Sequence, residues 1–261
     1  MNPSEVWRNY WLSKKINNSR LSDRLGTYQI PAYLFLKDKI KKNNIKSILN
    51  AGCGQDIISL NLQRYFKNKL QISLLDISKE VLEWNKKLFE KCSLKADFVD
   101  GDIFAIHFKD NVFDLVFNTG VLEHFEKEEQ IKITKEILRV LKPSGYFITA
   151  NPSDKGWIYK FGMMSAKKKG IWPFGKENPI NGLKFLKNEI LDIESIEEFD
   201  KDFLSQLGFL SYINPLWKFI TLPIYFLTRL LYKFQSILQL CDSLFSKIFG
   251  TYLIISVIKK K

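Results

Sequence analysis

The first 150 residues alternate between short apolar segments and longer segments with helical periodicity. The apolar segments predict β-strands at residues 46–50, 70–75, 96–99, 113–118 and 145–150. The amphipathic segments predict helices at residues 57–67, 78–91 and 127–141, with Ser78 as the cap of the second helix. Strands that alternate with helices in this way indicate right-handed βαβ units. We therefore expect a doubly wound, mostly parallel α/β sheet with a ligand crevice at the carboxyl ends of its strands.

The pattern changes on both sides of this region. Residues 4–42 have helical periodicity and are rich in tryptophan and tyrosine. Beyond residue 150 the pattern predicts a helix near 199–207 and strands near 209–213 and 251–258, which brings the sheet to seven strands. The predicted divisions are an N-terminal helical cap (1–44), a Rossmann-like core (45–153 and 199–261), a lid or acceptor-side insertion (154–198) and an amphipathic helical insertion within the core (215–249).

Residues 215–249 interrupt the last pair of predicted strands with an apolar stripe at three- and four-residue spacing. The longest uncharged run near its start, Phe219 to Thr228, is too short to span a bilayer. Trp217 and Tyr225 beside basic residues are typical of a helix that lies on a membrane surface. The same stripe could instead pack on the core or on a second subunit, so all three alternatives stay open.

The formal net charge of the 261-residue chain is +12, and it is concentrated in two late segments. Residues 155–176 hold six lysines and no acidic residue, and residues 211–261 hold six lysines, one arginine and one aspartate. This charge suits an anionic lipid surface. We recognise no RNA-binding module and expect no nucleic-acid partner. The three cysteines lack paired spacing, so we expect no metal site, and the chain shows no apolar signal core, so we expect a cytoplasmic protein.

A glycine turn follows the first predicted strand, and acidic residues end the next two. The segment Asn50-Ala51-Gly52-Cys53-Gly54 allows positive φ and a close approach of the backbone to a ligand. Asp76 ends the second strand, where its carboxylate can accept hydrogen bonds from both hydroxyls of a ribose. Asp102 follows the third strand and can accept from an adenine amino group, with Ile77 and Ile103 packed on the base. Together these residues predict an adenosine site.

With these motifs the sequence resembles the class I S-adenosylmethionine-dependent methyltransferases, in the broad group with a type 11 methyltransferase domain that acts on small molecules and lipids. The resemblance covers residues 45–150 and rests on Leu49–Gly54, Asp76, Gly101–Asp102, Phe113–Val116 with Val121–His124, and Leu138–Tyr146. It implies S-adenosylmethionine as the cofactor and a small-molecule or lipid-linked methyl acceptor.

The resemblance also implies roles for single residues. Gly52 and Gly54 would lie under the methionine part of the cofactor, and Asn118 would lie near the sulfonium. The predicted cofactor site comprises Asn50, Ala51, Gly52, Gly54, Asp76, Ile77, Asp102, Ile103 and Asn118. Two positions depart from the family pattern: Asn50 stands where an acid is usual, and Asp56 stands where a third glycine is usual. The turn must therefore close without that glycine.

His124 is the predicted catalytic base, because it follows the fourth strand and should face the cleft. Methyl transfer needs a base when the acceptor must lose a proton. The alternative is a histidine that only bonds the backbone of the acceptor loop. Glu123 and Tyr159 are further candidates, whereas His107 is expected to be structural.

Two other functions fit part of this pattern. A dinucleotide dehydrogenase also has a glycine turn followed by an acid, but its fingerprint needs a third glycine at position 57, where this chain has Ile57. A non-catalytic interaction protein would bind S-adenosylmethionine and transfer no methyl group.

Overall fold

The computed structural model describes Trp7, Trp11, residues 22–173 and 175–231, Phe245, Ser246, Ile248 and residues 250–261. Positions 224, 225 and 227–231 are described by their backbone alone. The described strands are β1 (Ser47–Ala51), β2 (Gln71–Asp76), β3 (Asp97–Asp100), β4 (Phe113–Thr119), β5 (Leu141–Pro152), β6 (Ile193–Lys201) and β7 (Leu253–Lys260). The described α-helices are α1 (Ile30–Lys42), α2 (Ile57–Tyr65), α3 (Lys79–Lys91), α4 (Lys127–Val140), α5 (Trp157–Lys168), α6 (Leu186–Glu189), α7 (Leu210–Ile213) and α8 (Lys218–Leu231).

The seven strands form one sheet in the order β3-β2-β1-β4-β5-β7-β6. β1 pairs in parallel with β2 and β4, and the outer pairs β2-β3 and β4-β5 are also parallel. β7 runs antiparallel to both of its neighbours, β5 and β6. The chain order reverses between β1 and β4, and a crevice opens at such a switch point beyond the carboxyl ends of the strands. The predicted mostly parallel, Rossmann-like sheet is confirmed.

The sheet separates two apolar clusters because successive strand residues point to opposite faces. In β1, Ile48 belongs to the cluster under α1, α2 and α3, whereas Leu49 belongs to the cluster under α4 and α6. Both side chains are fully buried. The near-continuous apolar sequence of β1 follows from this position, since a parallel strand covered on both faces has no solvent side.

Side-chain caps fix where the two helices after β1 and β2 begin. Asp56 accepts a hydrogen bond from the Ser59 amide at the start of α2, and Ser78 accepts one from the Val81 amide at the start of α3. Each cap satisfies a backbone amide that the helix itself leaves unpaired. The predicted cap at Ser78 is therefore confirmed.

The predictions for residues 199–213 are wrong. The helix predicted near 199–207 is instead the end of β6 followed by a 3-10 turn at Leu204–Phe209, and the strand predicted near 209–213 is α7. β6 lies at the edge of the sheet, where its acidic residues can face solvent, so its sequence lacks the apolar run of an inner strand. The apolar residues after it pack against α5, where a Cβ on Gly162 would lie 2.6 Å from the Phe209 carbonyl oxygen. The predicted boundary at residue 198 falls inside β6.

The first part of the predicted amphipathic insertion is a 3-10 turn at Pro215–Trp217 followed by α8, which contains Pro223. From position 232 to 249, only Phe245, Ser246 and Ile248 are described, so the rest of the predicted stripe lies outside the described residues. Among the helices of the described part, none has the length and apolar character needed to cross a membrane.

Candidate active site

A cavity of about 780 Å³ opens at the carboxyl ends of β1, β2 and β4. One end is lined by the glycine turn after β1 and by the residues that follow β2 and β3. The other end is lined by the 3-10 turn at Leu122–His124, by Glu177 and by aromatic residues from the later part of the chain. Ligand cavities commonly have volumes of about 300–1,000 Å³, so this one can hold a nucleoside-sized cofactor beside a second small molecule.

The glycine turn leaves its backbone open to the cavity. Gly52 and Gly54 have φ angles of 78° and 51°, which lie in the left-handed region that glycine adopts without strain. A Cβ added at Gly52 would lie 3.2 Å from Val121 Cγ2, and one added at Gly54 would lie 3.3 Å from Trp11 Cζ2. Glycine is therefore favoured at both positions, because the φ angle is positive and there is little space for a side chain.

Buried polar side chains close the turn in place of a third glycine. Asn85, from α3, donates through Nδ2 to the Gly54 carbonyl oxygen at 2.7 Å and accepts from the Asp56 amide at 2.9 Å. Asn50 Nδ2 donates to Asp56 Oδ2 at 2.8 Å. These bonds fix both the turn and the first residue of α2. The departure from glycine at position 56 is thus accommodated by an aspartate that caps the helix.

Asp76 stands at the end of β2 and is 6% exposed. Its Oδ2 accepts from the Gly54 amide at 2.8 Å, and its Oδ1 accepts from the Ser78 amide at 3.0 Å. Burial raises the pKa of this carboxyl group, and the backbone amides partly offset that effect. Each carboxylate oxygen keeps a further lone pair for a hydroxyl donor in the cavity.

Residues after β2 and β3 form the apolar side of the same end. Ile77, Gly101, Asp102 and Ile103 all line the cavity. Asp102 Oδ1 accepts from the Phe104 amide at 3.0 Å, which fixes the carboxylate at the start of the turn. The predicted acids and apolar residues are thus brought together at adjacent strand ends.

Three of the predicted cofactor residues lie behind this wall. Asn50, Ala51 and Asn118 are each 3% exposed or less, and none of them lines the cavity. Asn118 Oδ1 accepts a hydrogen bond from Thr149 Oγ1. The next two residues in the chain, Thr119 and Gly120, do line the cavity. Asn50 Oδ1 and Asn118 Nδ2 are buried, and neither has a hydrogen-bond partner among the described residues.

His124 lines the opposite end of the cavity. Its Nδ1 lies 2.8 Å from the Lys176 carbonyl oxygen. A carbonyl oxygen only accepts, so we assign the proton of the neutral ring to Nδ1, which leaves Nε2 as the basic nitrogen. Burial lowers the pKa of His124 and keeps the ring neutral near neutral pH. The Trp7 ring packs edge-on against His124, at 4.5 Å between ring centroids, so Trp7 contributes to this end.

Two carboxyl groups accompany His124. Glu123 is 2% exposed and Glu177 is 5% exposed, and both line the cavity. Burial, followed by repulsion from Glu177, raises the pKa of Glu123 well above its usual range. The Tyr159 hydroxyl donates to Glu177 Oε1 from outside the cavity. Tyr159 therefore positions a carboxylate and does not itself line the cavity.

Part of the chain matches a known protein family. Residues 49–149, less than half of the chain, match the model of the methyltransferase domain family. Residues 49–149 form a methyltransferase domain. This match confirms the predicted methyltransferase family for this segment and disfavours the dehydrogenase alternative. The predicted cofactor agrees with the SAH that solved methyltransferases of this fold contain.

Two of the curated relatives of the chain are methyltransferases. An uncharacterized methyltransferase of Schizosaccharomyces pombe is 31% identical over 105 residues, which is 38% of this chain and 37% of that protein. A fatty-acid O-methyltransferase of Mycolicibacterium smegmatis is 29% identical over 127 residues, which is 49% of this chain and 44% of that protein. The chain therefore matches less than half the length of these relatives.

Solved structures share the fold at low identity. Magnesium protoporphyrin IX methyltransferase from Synechocystis, crystallised with SAH, has a TM-score of 0.59 at 13% identity and covers 100% of both chains. The plantazolicin methyltransferase BpumL, also with SAH, has a TM-score of 0.57 at 15% identity and covers 98% of this chain and 90% of its own. At such identities the similarity shows a methyltransferase fold.

Most of the side chains at the His124 end of the cavity were not among the predicted site residues. Its wall includes Trp172, Glu177, Ser205, Phe209, Tyr212 and Tyr252. Glu177 lies in an acidic stretch of the sequence, residues 177–210, and Phe209, Tyr212 and Tyr252 lie in segments predicted as strands. One signal was present in the sequence: aromatic residues are unusually frequent in the segments that flank the acidic stretch.

Proposed function

We propose that the protein is an S-adenosylmethionine-dependent methyltransferase that acts on a small-molecule or lipid-linked acceptor. The observation that carries this proposal is the continuity of the cavity. It joins the glycine turn, Asp76 and Asp102 at one end to Glu123 and His124 at the other. A methyl donor bound at the first end would direct its methyl group toward the second.

The residues present suit the cofactor. Gly52 and Gly54 offer backbone without side chains, Asp76 offers carboxylate oxygens to a ribose, and Asp102 lies where an adenine amino group can be bound. We also propose that Asn50 and Asn118 support the amino-acid and sulfonium parts from behind the wall, with Ala51 packed beneath them, because each asparagine has a buried polar atom without a partner among the described residues. When bound, S-adenosylmethionine supplies an already activated methyl group.

The contribution of the protein is to position the acceptor, exclude water and take up a proton. His124 suits the last role because its Nδ1 is held by the Lys176 carbonyl and its Nε2 is the basic nitrogen. We therefore assign His124 as the catalytic base. Trp7 and Trp11 line the same cavity and would help to exclude water at the cofactor end and the acceptor end.

A radiolabel assay tests the proposal. The purified chain is incubated with methyl-labelled S-adenosylmethionine and a fractionated cell extract, and cofactor binding is measured in parallel by calorimetry. Cofactor binding with transfer of label to an extract fraction is the expected result. Binding without transfer to any fraction would favour the non-catalytic interaction protein, and no binding would contradict both.

We also propose that the chain docks on an anionic membrane surface beside the cavity. Lys218 lines the cavity and begins α8, and the segment around it exposes Leu216, Trp217, Phe219, Ile220, Leu222 and Phe226. Lys169, at the end of the basic helix α5, donates to the carbonyl oxygens of Tyr212 and Ile213 and thereby stands next to this surface. Apolar side chains flanked by lysines are typical of helices at anionic lipid surfaces.

We also propose a cytoplasmic location. Cys53 and Cys92 are free thiols, which are stable in a reducing compartment.

Vesicle sedimentation tests the membrane proposal. The intact chain should bind phosphatidylglycerol vesicles, bind phosphatidylcholine vesicles at least about tenfold more weakly, and lose binding with added salt. Replacing Phe219, Leu222 and Phe226 with serine should abolish binding. If the intact chain does not bind anionic vesicles, the membrane proposal is contradicted. The apolar surface would then contact a second subunit or the rest of the insertion.

A further inference from the structure

The acceptor end of the cavity contains a buried pair of carboxyl groups that the cofactor does not need. The Asn178 amide donates to the Glu123 carbonyl oxygen at 2.8 Å, and the Lys176 carbonyl oxygen lies 2.8 Å from His124 Nδ1. These two bonds flank Glu177 on its own segment and tie that segment to the turn that carries Glu123. The fold therefore holds both side chains at one place in the cavity wall.

In the described part of the chain, no lysine or arginine forms an ion pair with either carboxyl group, and the basic group beside Glu123 is the neutral ring of His124. Glu123 Oε2 is buried without a hydrogen-bond partner there, although its residue lines the cavity. The Tyr159 hydroxyl binds Glu177, and the Lys167 ammonium reaches only the Glu177 carbonyl oxygen, at 3.4 Å. The only lysine or arginine lining the described cavity is Lys218, which is exposed on α8. Buried carboxylates are costly without a positive partner, so the wall is suited to receive one from a ligand.

Aromatic rings surround the same end. Tyr28, Trp172, Tyr212 and Tyr252 line the cavity, and the Trp172 and Tyr212 rings lie 5.7 Å apart between centroids. Aromatic faces attract cations, and more strongly when water is excluded. Carboxylates and aromatic faces therefore favour the same kind of ligand group, whereas an anionic ligand would be repelled by Glu123 and Glu177.

We propose that the methyl acceptor is an amine, bound as its ammonium between Glu123 and Glu177, and that the protein is an N-methyltransferase; this inference rests on the function proposed above. The ammonium gives one proton to Nε2 of His124, which lies 3.7 Å from Glu123 Oε1, and this leaves a neutral amine. The nitrogen lone pair then forms the new N–C bond while the S–C bond of the methyl donor breaks and its electron pair stays on sulfur.

Calorimetry with three matched probes tests the proposal. Phenethylamine, 2-phenylethanol and 3-phenylpropanoate differ in the terminal group and share an aromatic end. Each is titrated into the full chain saturated with S-adenosylhomocysteine. Phenethylamine should bind at least about tenfold more tightly than 3-phenylpropanoate, with 2-phenylethanol between them. Glu123→Gln and Glu177→Gln keep the side-chain shape and should each remove most of this preference. Glu83→Gln, on the exposed face of α3, is the matched control and should leave it unchanged.

The affinity for S-adenosylhomocysteine distinguishes failure of the amine proposal from failure of the proposed methyltransferase function. If it binds wild type and Glu123→Gln equally and phenethylamine binds no better than 3-phenylpropanoate, or does not bind at millimolar concentration, the amine proposal is overturned and the proposed methyltransferase function stands. If S-adenosylhomocysteine fails to bind the wild-type chain, the proposed function falls and the amine proposal falls with it. Loss of the amine preference in both glutamine variants with unchanged S-adenosylhomocysteine affinity supports the proposal.

Discussion

The two ends of the cavity are built in different ways. The cofactor end is formed by consecutive strand-to-helix turns between residues 50 and 103, and backbone groups and short acids make most of its surface. The acceptor end gathers Tyr28, Glu123, Glu177, Phe209 and Tyr252 from separate parts of the chain. The first end is thus fixed by local sequence and the second by tertiary packing. The proposed cofactor site is therefore specified by short sequence motifs, whereas the proposed acceptor site depends on side chains that are far apart in sequence.

The largest expected effect concerns the support of the glycine turn. Asn85 is fully buried and bonds both the Gly54 carbonyl oxygen and the Asp56 amide. Asn85→Ala removes the partner of the buried Asp56 amide and of the partly buried Gly54 carbonyl oxygen, which should lower the free energy of unfolding by about 2–4 kcal/mol. Urea denaturation measures this, with the exposed Asn188→Ala as the control. A loss of stability no greater than that of the control would show that the glycine turn is stable without Asn85.

His124 tests the acceptor end separately. His124→Ala should lower kcat about 100-fold while the affinity for S-adenosylmethionine stays near that of the wild type. Because burial lowers the pKa of His124, wild-type kcat should rise with pH below the usual histidine range and be constant at neutral pH. Stopped-flow and steady-state assays against pH measure both effects. Equal losses in cofactor affinity and in kcat would instead make His124 structural.

Asp76 tests the cofactor end. Asp76→Ala removes the acceptor for the ribose hydroxyls and for the Gly54 amide, so S-adenosylmethionine should bind about tenfold more weakly or worse. Titration calorimetry gives the affinity, and circular dichroism checks that the variant is folded. Unchanged affinity in a folded variant would place the nucleoside elsewhere.

A site outside the cavity gives the smallest effect. Although burial opposes it, hydrogen bonds from Lys142 and from the Ser47 and Lys46 amides lower the pKa of Asp114 from 3.8 to about 2. The stabilisation is therefore complete above pH 3.8 and is lost as the pH falls toward 2. Asp114→Asn should cost about 1 kcal/mol at neutral pH, since the group is only partly buried, and less near pH 3. A variant equally destabilised at both pH values would show that these bonds do not depend on the charge.

The difference between the two ends of the cavity also explains which features of the structure could be predicted from the sequence. The inner strands are continuous apolar runs, and the turns after them carry glycine, a cap or an acid. The fold, and the placement of Gly52, Gly54, Asp76 and Asp102 at the cavity, could therefore be predicted. The edge strand β6 was not, since its acidic sequence hides the alternation that identifies a strand. Glu177 and Tyr252 were not predictable as neighbours of His124 either, because no local pattern specifies contacts between distant loops.

A crystal structure of the chain with S-adenosylhomocysteine tests the central claim most directly. The account predicts the adenine beside Asp102, the ribose hydroxyls within hydrogen-bond distance of the Asp76 carboxylate, and the sulfur facing the end of the cavity lined by Glu123 and His124. Density for the nucleoside outside the glycine turn, or a sulfur that faces away from Glu123 and His124, would contradict the account.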